Sequence, residues 1–155
     1  MKRAWHPEAL AEHWTVGPGE WPLSEPKPGA TRLGLARRCK FFQYAGAFPR
    51  APQDVPRTVV DHGAPQVGGP ADTGAQDAWD GRTSESHRAP MRQHVGFRAA
   101  TVADGATLGT WLCEPILPST RRPDHLKEAV APRGRDRRSE PPPPERLDRL
   151  IRSAV

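Results

Sequence analysis

The stretch Gly29-Ala30-Thr31-Arg32-Leu33-Gly34-Leu35-Ala36-Arg37-Arg38-Cys39-Lys40-Phe41-Phe42-Gln43-Tyr44-Ala45-Gly46-Ala47-Phe48 decides the fold. Leu33, Ala36, Lys40 and Tyr44 fall on one helical stripe, and Leu35, Cys39 and Phe42 on the adjoining one. The spacing predicts a helix over 29–48. Its apolar face is Leu33, Ala36, Phe41 or Phe42, and Ala45, while Arg32, Arg37, Arg38 and Lys40 look outward. Phe48-Pro49-Arg50 ends it. No β-type alternation occurs elsewhere in the chain. The expected class is therefore mostly α: a small helical bundle with helix-turn-helix-like modules and long Pro/Gly-rich loops.

Upstream, Pro7 to Trp14 reads as a short helix with Pro7 in its first turn and Leu10 and Trp14 on one face. Trp5, Trp14 and Trp21 supply aromatic area for packing onto the long helix rather than for a ligand. Val16 to Trp21 is a turn-rich loop, and Pro22 to Pro28 is irregular.

Downstream, a helix starts near Asp54 with Pro56 in its first turn and carries Val59, Val60 and Val67. Residues 63–81 are punctuated by Gly63, Pro65, Gly68, Gly69, Pro70, Gly74 and Gly81. A helix from Thr83 or Ser84 to about Val95 places Arg88 and Arg92 one turn apart. Thr101 to Cys113 forms another, capped near Thr101 or Asp104 and anchored by Leu108, Trp111 and Leu112. Asp124 to Ala131 is a short helix. Pro141 to Pro144 precedes a last amphipathic one, in which Leu147, Leu150 and Ile151 form an apolar edge with no partner left in the chain.

The expected organisation is a helical module at 1–62, a poorly ordered loop at 63–80, a second helical module at 81–131, and a flexible tail with a short helix at 132–155. The most buried set is expected to be Trp14, Leu33, Phe41, Phe42, Phe48, Phe97, Leu108, Trp111 and Leu112. Residues 68–78 and 132–144 are expected to be the least ordered.

Composition limits what such a chain can do. It has 155 residues, of which only 35% are apolar, with 19 prolines and 14 glycines. These values exclude a large dense core. No apolar run approaches the 18–20 or so residues of a membrane helix, and the start is no signal peptide. Cys39 and Cys113 stand apart, and read as reduced thiols, buried rather than bridged. The expected compartment is the cytoplasm, with association to the nucleoid. Lys and Arg total 23 against 18 acids, a net charge of +5, and 19 of the 23 are arginine. Arginine's planar fork suits phosphates and guanine edges, so the balance leans toward nucleic acid. A GC-rich coding sequence gives the same bias with no use attached.

Metal and catalytic readings find little support. His6, His13, His62, His87, His94 and His125 show no ligand spacing, and no reactive serine or cysteine motif occurs. No cofactor and no autonomous enzyme are expected.

A longer pattern resembles a known family. It begins with Ala4-Trp5, His13-Trp14-Thr15, Trp21, Gly29-Ala30-Thr31-Arg32-Leu33-Gly34 and Lys40-Phe41-Phe42. It continues through Gly46, Phe48-Pro49-Arg50, Val55-Pro56, Gln66-Val67, Gly81-Arg82-Thr83 and His87-Arg88. Met91-Arg92, Gly96-Phe97-Arg98, Ala100-Thr101, Asp104, Leu108 and Trp111-Leu112 follow. Arg122-Pro123, Leu126, Glu140-Pro141-Pro142 and Arg146-Leu147-Asp148-Arg149 complete it. In this order the residues resemble the N-terminal region of Tn3-family transposases, over almost the whole chain.

The resemblance implies helix-turn-helix modules that bind the double-stranded terminal inverted repeats of a transposon. In that family strand transfer belongs to a distant C-terminal domain of RNase H type with metal-binding Asp/Asp/Glu residues, so the chain is expected to be a truncated N-terminal fragment without catalytic residues. Departures from the family pattern are Gly63-Ala64-Pro65, Gly69 to Gly74, Pro90 inside a helix, and Pro132 and Gly134, which interrupt the tail helix. The other outcome is a vestigial, partly disordered basic protein with no selected partner.

The DNA-binding expectation centres on the turn and helix at 81–98: Arg82, Thr83, Ser86, His87, Arg88, Arg92 and Arg98, residue types that reach phosphates and base edges. Arg37, Arg38 and Lys40 are added as backbone-tracking cations. The same charges also fit an ordinary wet helix face. The Arg133-Gly134-Arg135-Asp136-Arg137-Arg138 run reads as flexible, adding sequence-blind affinity at most.

Overall fold

The computed structural model describes residues 5–23, 29–68, 82–116 and 122–154. Seven α-helices run through them: α1 Pro7–Trp14, α2 Gly29–Ala45, α3 Arg57–Gly63, α4 Arg82–Val95, α5 Val102–Trp111, α6 Pro123–Asp136 and α7 Pro144–Ala154. Among the described residues the one piece of β pairing is an isolated parallel bridge between Arg98 and Ser139. The mostly helical class holds.

Two compact units divide the chain, 1–95 and 96–155. The division falls after α4, whereas the sequence suggested breaks at 62/63, 80/81 and 131/132. Residues 69–80, the bulk of the expected loop, lie outside the described residues.

In the first unit α2 is the central element. It meets α1, α3, α4 and the 3-10 turn Pro18–Leu23. Every residue from Leu33 to Cys39 is buried, so the helix has no wet face along its middle. Trp5, Trp14, Val16, Leu33, Ala36, Val55, Val59, Val60, Ala64 and Val67 form the core, with Leu10, Phe41 and Tyr44 packed at its margin. Trp5 makes edge contacts with Trp14 and Tyr44, at centroid distances of 5.4 and 5.0 Å. Such pairs add roughly 0.5–1.5 kcal/mol beyond area burial. The side chain of Trp21 lies outside the described ones. α2 stops at Gly46, whose φ of 75° is the left-handed conformation that glycine favours. Phe48 then folds back to stack on Phe42, 4.4 Å between rings. α3 is shorter than expected, and Val67 sits in a separate 3-10 turn, Pro65–Val67, where it is buried.

In the second unit Thr101 caps α5. Its Oγ1 accepts the Asp104 N–H at 3.2 Å, and Asp104 Oδ2 accepts the Thr101 N–H at 2.8 Å. Such a cap contributes about 1 kcal/mol. The helix continues through a π turn over Leu112–Ile116. Leu108, Leu112, Leu126, Val130, Leu147 and Ile151 make the core. The apolar edge of α7, expected to lack a partner, therefore closes on α5 and α6. Sequence order hid this, because the three helices meet only when the chain has folded back twice.

The expected tail is also ordered differently. α6 runs on through Pro132 to Asp136, and residues 137–143 form a turn and an extended link rather than a loose segment. Pro132 is exposed, as is Pro90 within α4, so the carbonyl each leaves without its helical donor stands on the solvent side. Trp14, Leu33, Phe42, Phe48, Leu108 and Leu112 are buried as expected. Phe41, Phe97 and Trp111 are only half-buried, while Leu35, Met91, Leu126 and Val67 join the core.

Candidate nucleic-acid interface

The site expected at 81–98 is divided by the unit boundary. α4 holds Arg82, Thr83, Ser86, His87, Arg88 and Arg92 in the first unit, and Arg98 lies in the second. Gly81 and the side chains of Arg82 and Thr83 lie outside the described residues.

Met91 orients α4. It is 2% exposed and is the helix's one large apolar side chain before Val95, so it sets the inward face. His87 and Arg88, one turn earlier, share that side and are half-buried, and the Arg88 guanidinium lies 5.3 Å from the centroid of the Phe48 ring. Arg92 is half-buried as well. The outward row is Ser86, Ala89, Pro90, Gln93 and His94. Ser86 thus faces solvent as expected. Arg88 and Arg92 flank the exposed row rather than lead it, and Gln93 and His94 were missed. The signal was available: a lone methionine among polar residues fixes which side turns in.

Arg37 and Arg38 are a correction. Both are 5% exposed, and both are engaged by neighbouring groups. An amphipathic reading assumes one covered face, but α2 is covered on several. The two arginines therefore stand in the interior of the first unit and do not follow a phosphate backbone. Lys40 is committed too. Its ammonium pairs with Glu20 at 3.1 Å, with both side chains 12% exposed. Glu20 also accepts the Gly17 N–H at 2.6 Å and a bond from the Gln43 amide. Burial raises the Glu20 pKa, but these hydrogen bonds and the Lys40 charge outweigh it and hold the carboxyl below its ordinary value. Beside this network Cys39 is buried, and desolvation, helped by the Glu20 charge, pushes its thiol up to about 12. That thiol is inert. Cys113, expected to be buried, is exposed and free.

In the second unit Arg98 grips Asp104 with two parallel hydrogen bonds of 2.5 and 2.7 Å. A fork engaged on both sides is a structural clamp first. Exposed cations occur in both units, among them Arg50, Arg57, Arg122, Arg149 and Arg152, and a close-set group of them stands at the end of α6. Arg135, Arg137 and Arg138 are exposed, and Arg133 lies over the Trp111 ring, 4.4 Å from its centroid. Sequence reasoning saw this run but read it as flexible.

Among the described residues no group of His, Cys, Asp and Glu side chains is placed to hold a metal ion, and no helix is long and apolar enough to cross a membrane. The arrangement offers guanidinium and amide donors on ordered helices. It can bind an anionic polymer by charge and hydrogen bonding.

No curated protein matches the chain. The model of one protein family does so over residues 1–154, and the chain therefore belongs to the family described as a domain of unknown function, DUF4158.

Proposed function

We propose that this chain is a DNA-binding module of the kind found at the N-terminus of Tn3-family transposases, recognising the double-stranded terminal inverted repeats of a transposon. The observation that carries the reading is the collinear run of motifs from Ala4-Trp5 to Arg146-Leu147-Asp148-Arg149. Supporting it are the mostly helical fold, the net charge of +5, and guanidinium groups presented from an ordered helix end. In this reading the chain acts by binding and not by catalysis. Base-edge contacts fall to the outward row of α4, where Ser86, Gln93 and His94 supply donors and acceptors, with Arg88 and Arg92 at its flanks.

Competition gel shifts test it. The purified chain should prefer a duplex carrying the repeat over a scrambled duplex of equal length at moderate salt. Gln93→Ala should narrow that preference, costing about 1–3 kcal/mol on the repeat and much less on scrambled DNA if the amide reads a base edge. Equal affinity for both duplexes would leave a generic polycation and return the chain to the vestigial reading.

A further inference from the structure

The C-terminal end of α6 closes in a Schellman turn. The Ser139 N–H reaches back to the Gly134 carbonyl at 2.9 Å, and the Arg138 N–H reaches the Arg135 carbonyl at 3.0 Å. Arg138 occupies the left-handed position of that turn, with φ of 49°. Glycine serves this position best, and the chain uses glycine at every other left-handed position described: Gly46, Gly68 and Gly96. Arg138 alone departs. The cost of a Cβ in this conformation is retained here, and stability does not explain it.

The surrounding backbone holds the turn fixed. The Arg138 carbonyl accepts the Arg98 N–H at 3.0 Å, and the Arg98 carbonyl accepts the Glu140 N–H at 2.9 Å. Gly134 permits the closure, because a Cβ there would stand 2.8 Å from the Ser139 carbonyl oxygen. The Arg138 side chain is exposed and runs beside Gly96, with Nη1 3.0 Å from where a Cβ on that residue would lie. Within 133–140 four arginines face two acids, Asp136 and the half-buried Glu140. The like charges crowd one another. Desolvation, and then the charge of Arg137, lower the affinity of Arg133 for its proton. A helix C-terminus favours cations in its last turn, which accounts for Arg133 and Arg135. It does not account for an arginine beyond the helix in a glycine conformation.

We infer that this turn is a phosphodiester clamp, in which Arg135, Arg137 and Arg138 contact backbone phosphates of duplex DNA. The inference rests on the DNA-binding reading above and deepens it, by giving the second unit a sequence-blind contact. Guanidinium groups on a backbone held at both ends lose less freedom on binding than they would on a loose loop.

The full chain is titrated against labelled repeat and scrambled duplexes over a range of salt concentrations, with a thermal melt of every variant. Arg138→Gly relieves the turn and removes the charge. It should raise Tm by roughly 2–4 °C while lowering affinity about 3–10-fold on both duplexes, with a salt slope shallower by about one. Arg138→Lys keeps the charge in the same conformation and should stay within about twofold of the parent. Arg137→Ala should weaken both duplexes alike without raising Tm. If the parent binds and Arg138→Gly raises Tm but leaves affinity and salt slope unchanged, the clamp is overturned while the DNA-binding reading stands. Failure of the parent to bind any duplex overturns both. Binding to vesicles rich in phosphatidylserine, lost in Arg138→Gly while duplex binding is unaffected, would assign the turn to a membrane surface and overturn the clamp.

Discussion

Asp104 holds three donors with one carboxylate: the Arg98 guanidinium, the Thr101 amide and the Thr101 hydroxyl. The Arg98 hydrogen bonds, then those from Thr101, keep its carboxyl well below the ordinary carboxylate range. A depressed acid contributes stability that is complete above the unfolded value, about 3.9, and is lost as pH falls through the folded value. Melts between pH 5 and 2 should therefore show the parent losing stability below about pH 4 more steeply than Asp104→Asn, which lacks this titration. Equal slopes would show that the clamp contributes nothing. Arg37 makes the opposite point about charge. Buried at 5% exposure, it belongs to the interior of the first unit. Arg37→Ala should lower stability by about 1–3 kcal/mol in denaturant melts and leave the salt slope of DNA binding unchanged. A shallower slope with normal stability would return Arg37 to the surface.

At the scale of elements, two substitutions separate propensity from context. Pro90 sits within α4 on its exposed row, and it removes the donor that would serve the Ser86 carbonyl. Pro90→Ala should stabilise the first unit by up to about 3 kcal/mol, read as a higher denaturant midpoint at constant m. Gly134 also lies inside a helix, where alanine ordinarily gains about 1 kcal/mol. Here the added Cβ would stand 2.8 Å from a backbone oxygen, which cannot swing aside as a side chain can. Gly134→Ala should therefore lower Tm, because the clash breaks the turn that ends α6. An unchanged or higher Tm would mean that the turn opens at little cost.

For the whole molecule, charge and core play separate parts. Two modest cores supply the order, one built on tryptophans around α2 and one on leucines between α5, α6 and α7. The net charge of +5 is spread over both units, yet Lys40, Arg98 and Lys127 are spent on Glu20, Asp104 and Asp148. Binding should thus depend on salt less steeply than 23 cations suggest. Three phosphate contacts at α6 give roughly 40-fold weaker binding between 50 and 200 mM salt. Fluorescence anisotropy on scrambled duplex measures this directly. A far steeper dependence would show that cations beyond the α6 turn, such as the exposed Arg50, Arg149 and Arg152, also contact phosphates.

The sequence by itself determined the helical class, most element positions, a cap for α5 at Thr101 or Asp104, and six of the nine expected core residues, which proved buried. These follow from local rules: apolar spacing, proline at a first turn, glycine at a stop, and a cap-forming side chain where a helix begins. Tertiary structure alone decided the rest. Whether Arg37 meets water depends on how many neighbours α2 has, and a single helix's periodicity carries no such information. α7 found its partners in α6, about twenty residues upstream, and in α5, more than thirty residues away. Pro132 failed to end α6 because one lost hydrogen bond on a wet side is outweighed by Leu126 and Val130 packing beneath it. For the candidate site, the residue types were legible in order, but the face each presents was set by where Met91 and Phe48 were buried. Helix orientation is decided by what is removed from water, and that sum includes residues distant in the chain.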